Sequence, residues 1–508
     1  MMNIKQAKAE LKNTIRAYLS TDEQGLPRID FVKQRPVLLM GPPGIGKTAV
    51  MEQLAAECDL ALVSYTITHH TRQSAVGLPM IVKRKFGGVE YSATEYTMSE
   101  IIGSVYQAME RTGKKHGILF LDEINCVSET LAPTMLQFLQ CKTFGTHTLP
   151  QGWIIVAAGN PPEYNKSVRE LDVVTLDRVK RIDLREDLGA WKEYASRRGI
   201  YGAILAYLDS KPQNFYKMES TPGGKEFVTP RGWEDLSQLL YSYDALGLAA
   251  EQPTVEQYLQ HPTVAKDFAA FLALWRRYNQ DVDLASILDG KAPESTIRRC
   301  AAGGFDEKLA LVGLLGDRLT QLFRDCYRLD QTADRLFSLL KRFKELVFLP
   351  NANPMELFSR LLAAEQEKEK TLQTQSVDQI EKQIQVLLTR QLETDGEELL
   401  SLPEPTPQAV FDTLKQGFEQ LVKRRRESAG AASEKLDFVF DFLEAAFGRS
   451  QELVWFITQL AGGYYSSWFL AQFGCVRFDQ YNESLLFEKR RNQLLEQVDR
   501  LEQSEPQI

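Results

Sequence analysis

The stretch PVLLMGPPGIGKTAVMEQLAAEC, residues 36–58, decides how the rest of this chain is read. It opens on a continuous apolar run of the kind found in strands buried on both faces of a parallel sheet. Residues 41–48, GPPGIGKT, satisfy the spacing G-x-x-x-x-G-K-[ST], and AVMEQLAAEC after them has helical composition. A strand that turns through glycines into a helix start is a phosphate cradle. Gly41, Gly44 and Gly46 let the backbone aim its N–H groups at an anion, with Pro42, Pro43 and Ile45 completing the loop. Lys47 is placed to reach the β- and γ-phosphates of ATP, and the Thr48 hydroxyl to ligate Mg²⁺.

Outward from this loop, four more apolar runs alternate with helical stretches: LALVSYTI (60–67), GILFLD (117–122), WIIVAAG (153–159) and VKRIDL (179–184). That alternation predicts an α/β domain, a parallel sheet covered by helices. Two turn-centred segments, 77–99 around Gly87-Gly88 and 142–152 around Gly145 and Pro150, read as hairpins outside the sheet. Beyond Arg185 strand signals fade and apolar residues recur at helical spacing. Phe411, Leu414, Phe418 and Leu421 mark one amphipathic helix; Val377, Ile380, Ile384 and Leu387 mark another, a packed surface helix or a short coiled coil. LPEPTP (402–407) reads as a linker, and MMNIKQAKAELKNTIRAYL (1–19) as an amphipathic helix.

The run ILFLDEIN (118–125) ends in adjacent carboxylates at a strand end. Asp122 there would hold Mg²⁺, normally through water, while Glu123 would act as general base on the attacking water. The strand before AAGNPPEYN (157–165) places the Asn160 amide where it could orient that water near the γ-phosphate; asparagine before two prolines is otherwise a good turn.

Together GPPGIGKT, LFLDEIN and AAGNPPEYN resemble Walker A, Walker B and sensor 1 of the AAA+ superfamily, in order and in spacing. The wording DEIN and the two hairpin positions resemble the MoxR group and, more broadly, the helix-2-insert and pre-sensor-1 clade that includes the magnesium-chelatase ATPase subunit. The resemblance covers residues 30–250. It implies an AAA+ P-loop NTPase domain over 1–185 and an α-helical lid over 186–290; the region 291–508, which the resemblance does not reach, reads as mostly α-helical from the spacing of its apolar residues. It also implies roles for two arginines. TLDRVKRIDL (175–184) is similar to the segment whose arginine reaches a neighbouring subunit's nucleotide, which selects Arg178, with Arg181 as a possible substitute because Val179 stands where an aromatic is usual. TPRGWEDLSQLL (229–240) resembles the sensor 2 helix, so Arg231 would reach the γ-phosphate. A homo-oligomeric ring, usually a hexamer, and a partner bearing a von Willebrand factor A domain are what such a resemblance implies.

Composition sets the outer bounds. At 508 residues, 44% hydrophobic and 25% charged, the chain can form two or three cores. A net charge of −8 makes nucleic acid an unfavoured partner, and no apolar run reaches membrane-spanning length, so a cytoplasmic location is expected. The cysteines show no C-x-x-C spacing and are expected reduced. Adjacent His69 and His70 make a poor zinc site, and KRRRE (423–427) reads as the basic end of an amphipathic helix. The first function considered is an ATPase that remodels or activates a partner protein. A nucleic-acid-translocating motor and an ATP-gated scaffold with little turnover are the alternatives.

Overall fold

A computed structural model describes residues 1–69, 73, 75, 77–144, 147–164, 168, 171–350, 352–374 and 378–485. The chain divides into two compact units: residues 1–190 with Thr229–Gly232, and 191–228 with 233–508.

The first unit is built on five parallel strands, β1 (Val37–Met40), β2 (Ala61–Thr66), β5 (Gly117–Asp122), β8 (Trp153–Gly159) and β9 (Lys180–Asp183), in the order β2-β5-β8-β1-β9. These are the five apolar runs of the sequence. Leu38, Leu119, Leu121, Ile155 and Ala157 meet Ile101, Ile102 and Val105 of the Glu100–Thr112 helix and Phe138 and Leu139 of the Ala132–Cys141 helix in one buried cluster. Burial of that face and of its opposite explains why β5 and β8 read as unbroken apolar runs. The Ile4–Leu19 helix buries Ala7, Leu11 and Ile15, and its Lys8 and Lys12 both pair with Glu57 on the helix that follows the phosphate loop.

Two hairpins leave the sheet. β3 (Pro79–Phe86) and β4 (Val89–Tyr96) pair antiparallel around Gly87 and Gly88, whose φ of 60° and 85° are those of a tight hairpin turn open to glycine pairs. β6 (Thr143–Phe144) and β7 (His147–Thr148) form the second, much shorter; Gly145 lies outside the described residues. The Ile67–His69 segment is a 3₁₀ turn, and His70 lies outside the described residues.

The second unit is mainly helical, with one exception to the sequence reading. β10 (Lys217–Thr221) and β11 (Gly224–Val228) pair antiparallel across a Pro-Gly-Gly turn, so strand structure persists beyond Arg185. An aromatic nest of Tyr207, Trp233, Phe268, Phe271 and Trp275 holds the helices Gly202–Ser210, Pro230–Leu246 and Pro262–Asp281 together. A 43-residue helix, Phe305–Val347, packs on these by close approach: a Cβ on Gly313 would lie 2.7 Å from Ala206 and 2.9 Å from Trp275. Its far half joins a second core, where Leu336, Leu340 and Phe343 meet Phe358, Leu388, Leu392, Val410 and Leu414. Ile380, Ile384 and Leu387 therefore belong to a multi-helix bundle; Val377 lies outside the described residues. The 401–406 segment separates the Gln379–Leu400 helix from Pro407–Phe447, whose start is capped by Thr406. KRRRE sits inside that 41-residue helix, not at its end, and Arg425 pairs with Asp330 at 2.6 Å. No described helix is long and apolar enough to cross a membrane.

Candidate functional site: a phosphate cradle at the carboxyl edge of the sheet

Parallel strands all end on one edge, and in open sheets that edge is where ligands bind. Here it gathers Gly41 after β1, Asp122 and Glu123 at the end of β5, and Asn160 after β8. The strand order does the gathering: β8 lies between β5 and β1, so the asparagine stands between the carboxylates and the phosphate loop.

The loop has the backbone its residue types demand. Gly44 and Gly46 have φ of 76° and 95°, left-handed values that a side chain would strain. Gly41 is required by space, since a Cβ there would lie 2.7 Å from that of Leu184. Gly46 caps the Lys47–Glu57 helix, leaving the first-turn N–H groups for an anion.

Lys47 is 8% exposed, and its ammonium donates to the carbonyls of Gly41 at 2.8 Å and Pro42 at 2.9 Å and to Asn160 Oδ1 at 2.8 Å. All three N–H donors are thus engaged. Burial brings its pKa down to about 8; Asp122 and Glu123 oppose that fall, and Arg231 adds to it. Thr48 donates its hydroxyl to Asp122 Oδ2 at 3.2 Å. A hydroxyl and a carboxylate side by side form the sparse, all-oxygen protein contribution that suits Mg²⁺, which keeps most of its sites for phosphate and water. Thr48 and Asp122 would hold the ion, whose positive charge would offset the negative charge developing on phosphate.

Glu123 adopts a left-handed backbone, φ 57° and ψ 36°, at the turn out of β5. Its N–H donates to Asp122 Oδ1 at 2.9 Å, and its carboxylate accepts the Thr68 hydroxyl at 3.1 Å. The Glu123 carboxylate is therefore tethered beside the loop by a residue just past β2. Asn125, two residues on and 3% exposed, donates its amide to Asn160 O at 2.8 Å and accepts the Asn160 N–H at 3.3 Å. Neither Thr68 nor Asn125 was singled out from sequence; the only signal was the N of DEIN.

Arg231 opens the Pro230–Leu246 helix, where the Thr229 hydroxyl accepts the Gly232 N–H at 3.3 Å. Residues 229–232 group with the first unit, and a Cβ on Gly44 would lie 3.0 Å from the Thr229 side chain. Arg231 is thus brought near the loop, close enough to act on Lys47 electrostatically. Arg178 is not brought there by its own chain: it is exposed, just after the Val173–Leu176 helix. Arg181 is bound to Asp183 of its own strand at 2.8 Å.

Glu219 and Glu226 stand opposite each other on β10 and β11 with His261 beside them. His261 Nδ1 accepts the Val264 N–H at 3.4 Å, so Nε2 carries the proton and donates to Glu219 at 3.3 Å. That is a helix cap, and a metal at Nε2 would have to undo it.

Residues 36–179 match the family model of the AAA domain, dynein-related subfamily. The match runs from the residue before β1 to the residue before β9 and takes in the phosphate loop, both carboxylates, Asn160 and Arg178. No curated protein matches the chain. Among solved structures, a candidate ATPase from Cytophaga hutchinsonii aligns at 18% identity over 38% of this chain and 49% of that one, with a TM-score of 0.24. The chain spans about half the length of that structure. The family match supports an AAA+ nucleotide-binding domain and does not extend to the MoxR group.

Proposed function

We propose that this chain is a MoxR-type AAA+ ATPase that hydrolyses ATP in an oligomeric ring and uses the cycle to remodel or activate a partner protein. The observation that carries the hydrolytic part is the meeting of Lys47, Thr48, Asp122, Glu123 and Asn160 at one sheet edge. Each has a distinct task. Lys47 and the loop N–H groups hold phosphate, Thr48 and Asp122 hold Mg²⁺, Glu123 takes a proton from water, and Asn160 orients that water. Arg231, at the start of the Pro230–Leu246 helix and already near the loop, would reach the γ-phosphate.

The ring rests on the chemistry of the transition state and the exposure of Arg178. A further cation is needed where charge develops in the transition state, and exposed Arg178 is available to a neighbouring subunit in a way that Asp183-bound Arg181 is not. Six subunits, a von Willebrand factor A partner and a cytoplasmic setting accompany this reading by resemblance.

The test is ATPase rate per subunit against protein concentration, with mass measured in the same buffer, for wild type, Glu123→Gln and Arg178→Ala. Turnover should rise with assembly. Both variants should lose it by roughly 10³-fold while still binding ATP. Turnover independent of concentration, with Arg178→Ala unaffected, would remove the shared site; a fully active Glu123→Gln would remove the assigned base.

A further inference from the structure

We propose that Asn125 is a positioning residue of the hydrolytic site, fixing the distance between the general base and the water-orienting amide. The inference rests on the hydrolytic reading above and concerns a side chain that reading does not use. Glu123 sits on a turn that its own backbone does not favour, since a left-handed φ is costly for a residue with a Cβ. Such a turn persists only where its surroundings hold it. Two bonds are local: Glu123 N–H to Asp122 Oδ1, and Cys126 N–H to Glu123 O at 2.9 Å. Neither refers the turn to anything outside β5 and its exit, and the Thr68 hydroxyl, which does come from outside, holds the Glu123 carboxylate and not the backbone of the turn.

Asn125 supplies that reference. Its carboxamide grips both backbone polar groups of Asn160, donor to carbonyl and acceptor to N–H, as one strand residue grips another. Asn160 in turn accepts from Lys47 through its side chain, so a single chain of bonds runs from the base-bearing turn through Asn160 to the phosphate loop. Space has been made for it. A Cβ on Gly159 would lie 2.6 Å from Asn125 Oδ1 and 3.0 Å from the Met40 sulfur, so glycine precedes Asn160 to admit the carboxamide. Asparagine suits the task better than aspartate because an ionised carboxylate has no proton to give the Asn160 carbonyl, and the side chain at 125 is itself buried.

Asn125→Asp tests this, with Gly159→Ala as a second variant that crowds the carboxamide while leaving residue 125 intact. Steady-state ATPase, ATP affinity by fluorescent-nucleotide titration and thermal melts are measured on the full chain beside wild type and Glu123→Gln. For both variants kcat should fall about 100-fold, as expected for a misplacement of about 1 Å at reacting groups, with ATP affinity within about threefold of wild type. The kcat of Asn125→Asp relative to wild type should recover as pH falls, because a protonated acid donates and accepts as the amide does. Wild-type kcat in Asn125→Asp, or kcat and affinity falling together with no recovery at low pH, overturns the proposal. Turnover in Glu123→Gln equal to wild type shows instead that the hydrolytic reading has failed, and the role of Asn125 fails with it.

Discussion

A lysine buried under three hydrogen bonds would ordinarily be a structural residue, but Lys47 hands two of its protons to carbonyls of its own loop and the third to Asn160. Phosphate oxygens would compete for these same protons and bring a full negative charge, so nucleotide raises the pKa that burial has brought to about 8. The sign follows. Above pH 8 the free protein loses the ammonium proton and must recover it on binding, so the Kd for Mg-ATP should climb up to tenfold per pH unit between about 8 and 9.5. Nucleotide phosphates titrate well below that range, and Lys47→Arg, whose guanidinium keeps its proton, should bind more weakly but with a flat profile. A flat wild-type profile would show that the free lysine stays charged. At this scale the motif residues were legible because G-x-x-x-x-G-K-[ST] and the strand-end carboxylates carry their chemistry in local spacing. Thr68 and Asn125 were not, because their partners are chosen by strand order: β2 ends beside β5, and β8 beside β5, only once the crossovers are made.

Among the elements, β1, β5 and β8 could be read directly since burial on both faces writes them as unbroken apolar runs, and the edge strands β2 and β9 more faintly, whereas the β10–β11 hairpin, exposed and polar, left only a Pro-Gly-Gly turn as its trace. Helix packing in the far core holds a feature that sequence periodicity passes over. Asp395, 1% exposed, sits on the Gln379–Leu400 helix against Gly417 of the Pro407–Phe447 helix, where a Cβ would lie 2.1 Å from Asp395 Oδ1. Gln391 donates to Oδ1 at 2.8 Å; Oδ2 has no hydrogen-bond partner among the described residues. Burial raises its pKa to about 6, with Glu398 adding to the rise. A raised acid favours the folded state while neutral, so stability is fully present below the ordinary aspartate value of 3.8 and is lost as pH rises through about 6. The loss is on the order of 3 kcal/mol by pH 8. Asp395→Asn keeps the shape and removes the titration. Its melting temperature should match wild type near pH 3.5 and exceed it by several degrees at pH 8; a difference that does not change with pH would mean Asp395 stays neutral or is solvated.

For the whole molecule the consequential feature is that lid-type helices and the far bundle form one compact unit. The Phe305–Val347 helix, roughly 65 Å long, is seated by Gly313 against Ala206 and Trp275 at one end and by Leu336, Leu340 and Phe343 in the far core at the other. No proline interrupts it, and the one glycine between these two seats, Gly316, is packed so closely that a Cβ there would lie 2.5 Å from Gln459 Oε1, so the helix has no unsupported point at which to bend. If nucleotide turns the lid through Arg231, the far bundle must travel with it, and a small rotation at the site becomes a large displacement at the helix end. Spin labels placed through an introduced keto amino acid, which spares the native cysteines, measure this by double electron–electron resonance. Between positions 242 and 394, both in the second unit, the distance distribution should be the same without nucleotide, with ADP and with a non-hydrolysable ATP analogue. Between position 111 in the first unit and 394 it should shift between those states. A shift in the 242–394 pair of similar size would mean that the long helix flexes, and that the far bundle is uncoupled from whatever the nucleotide does.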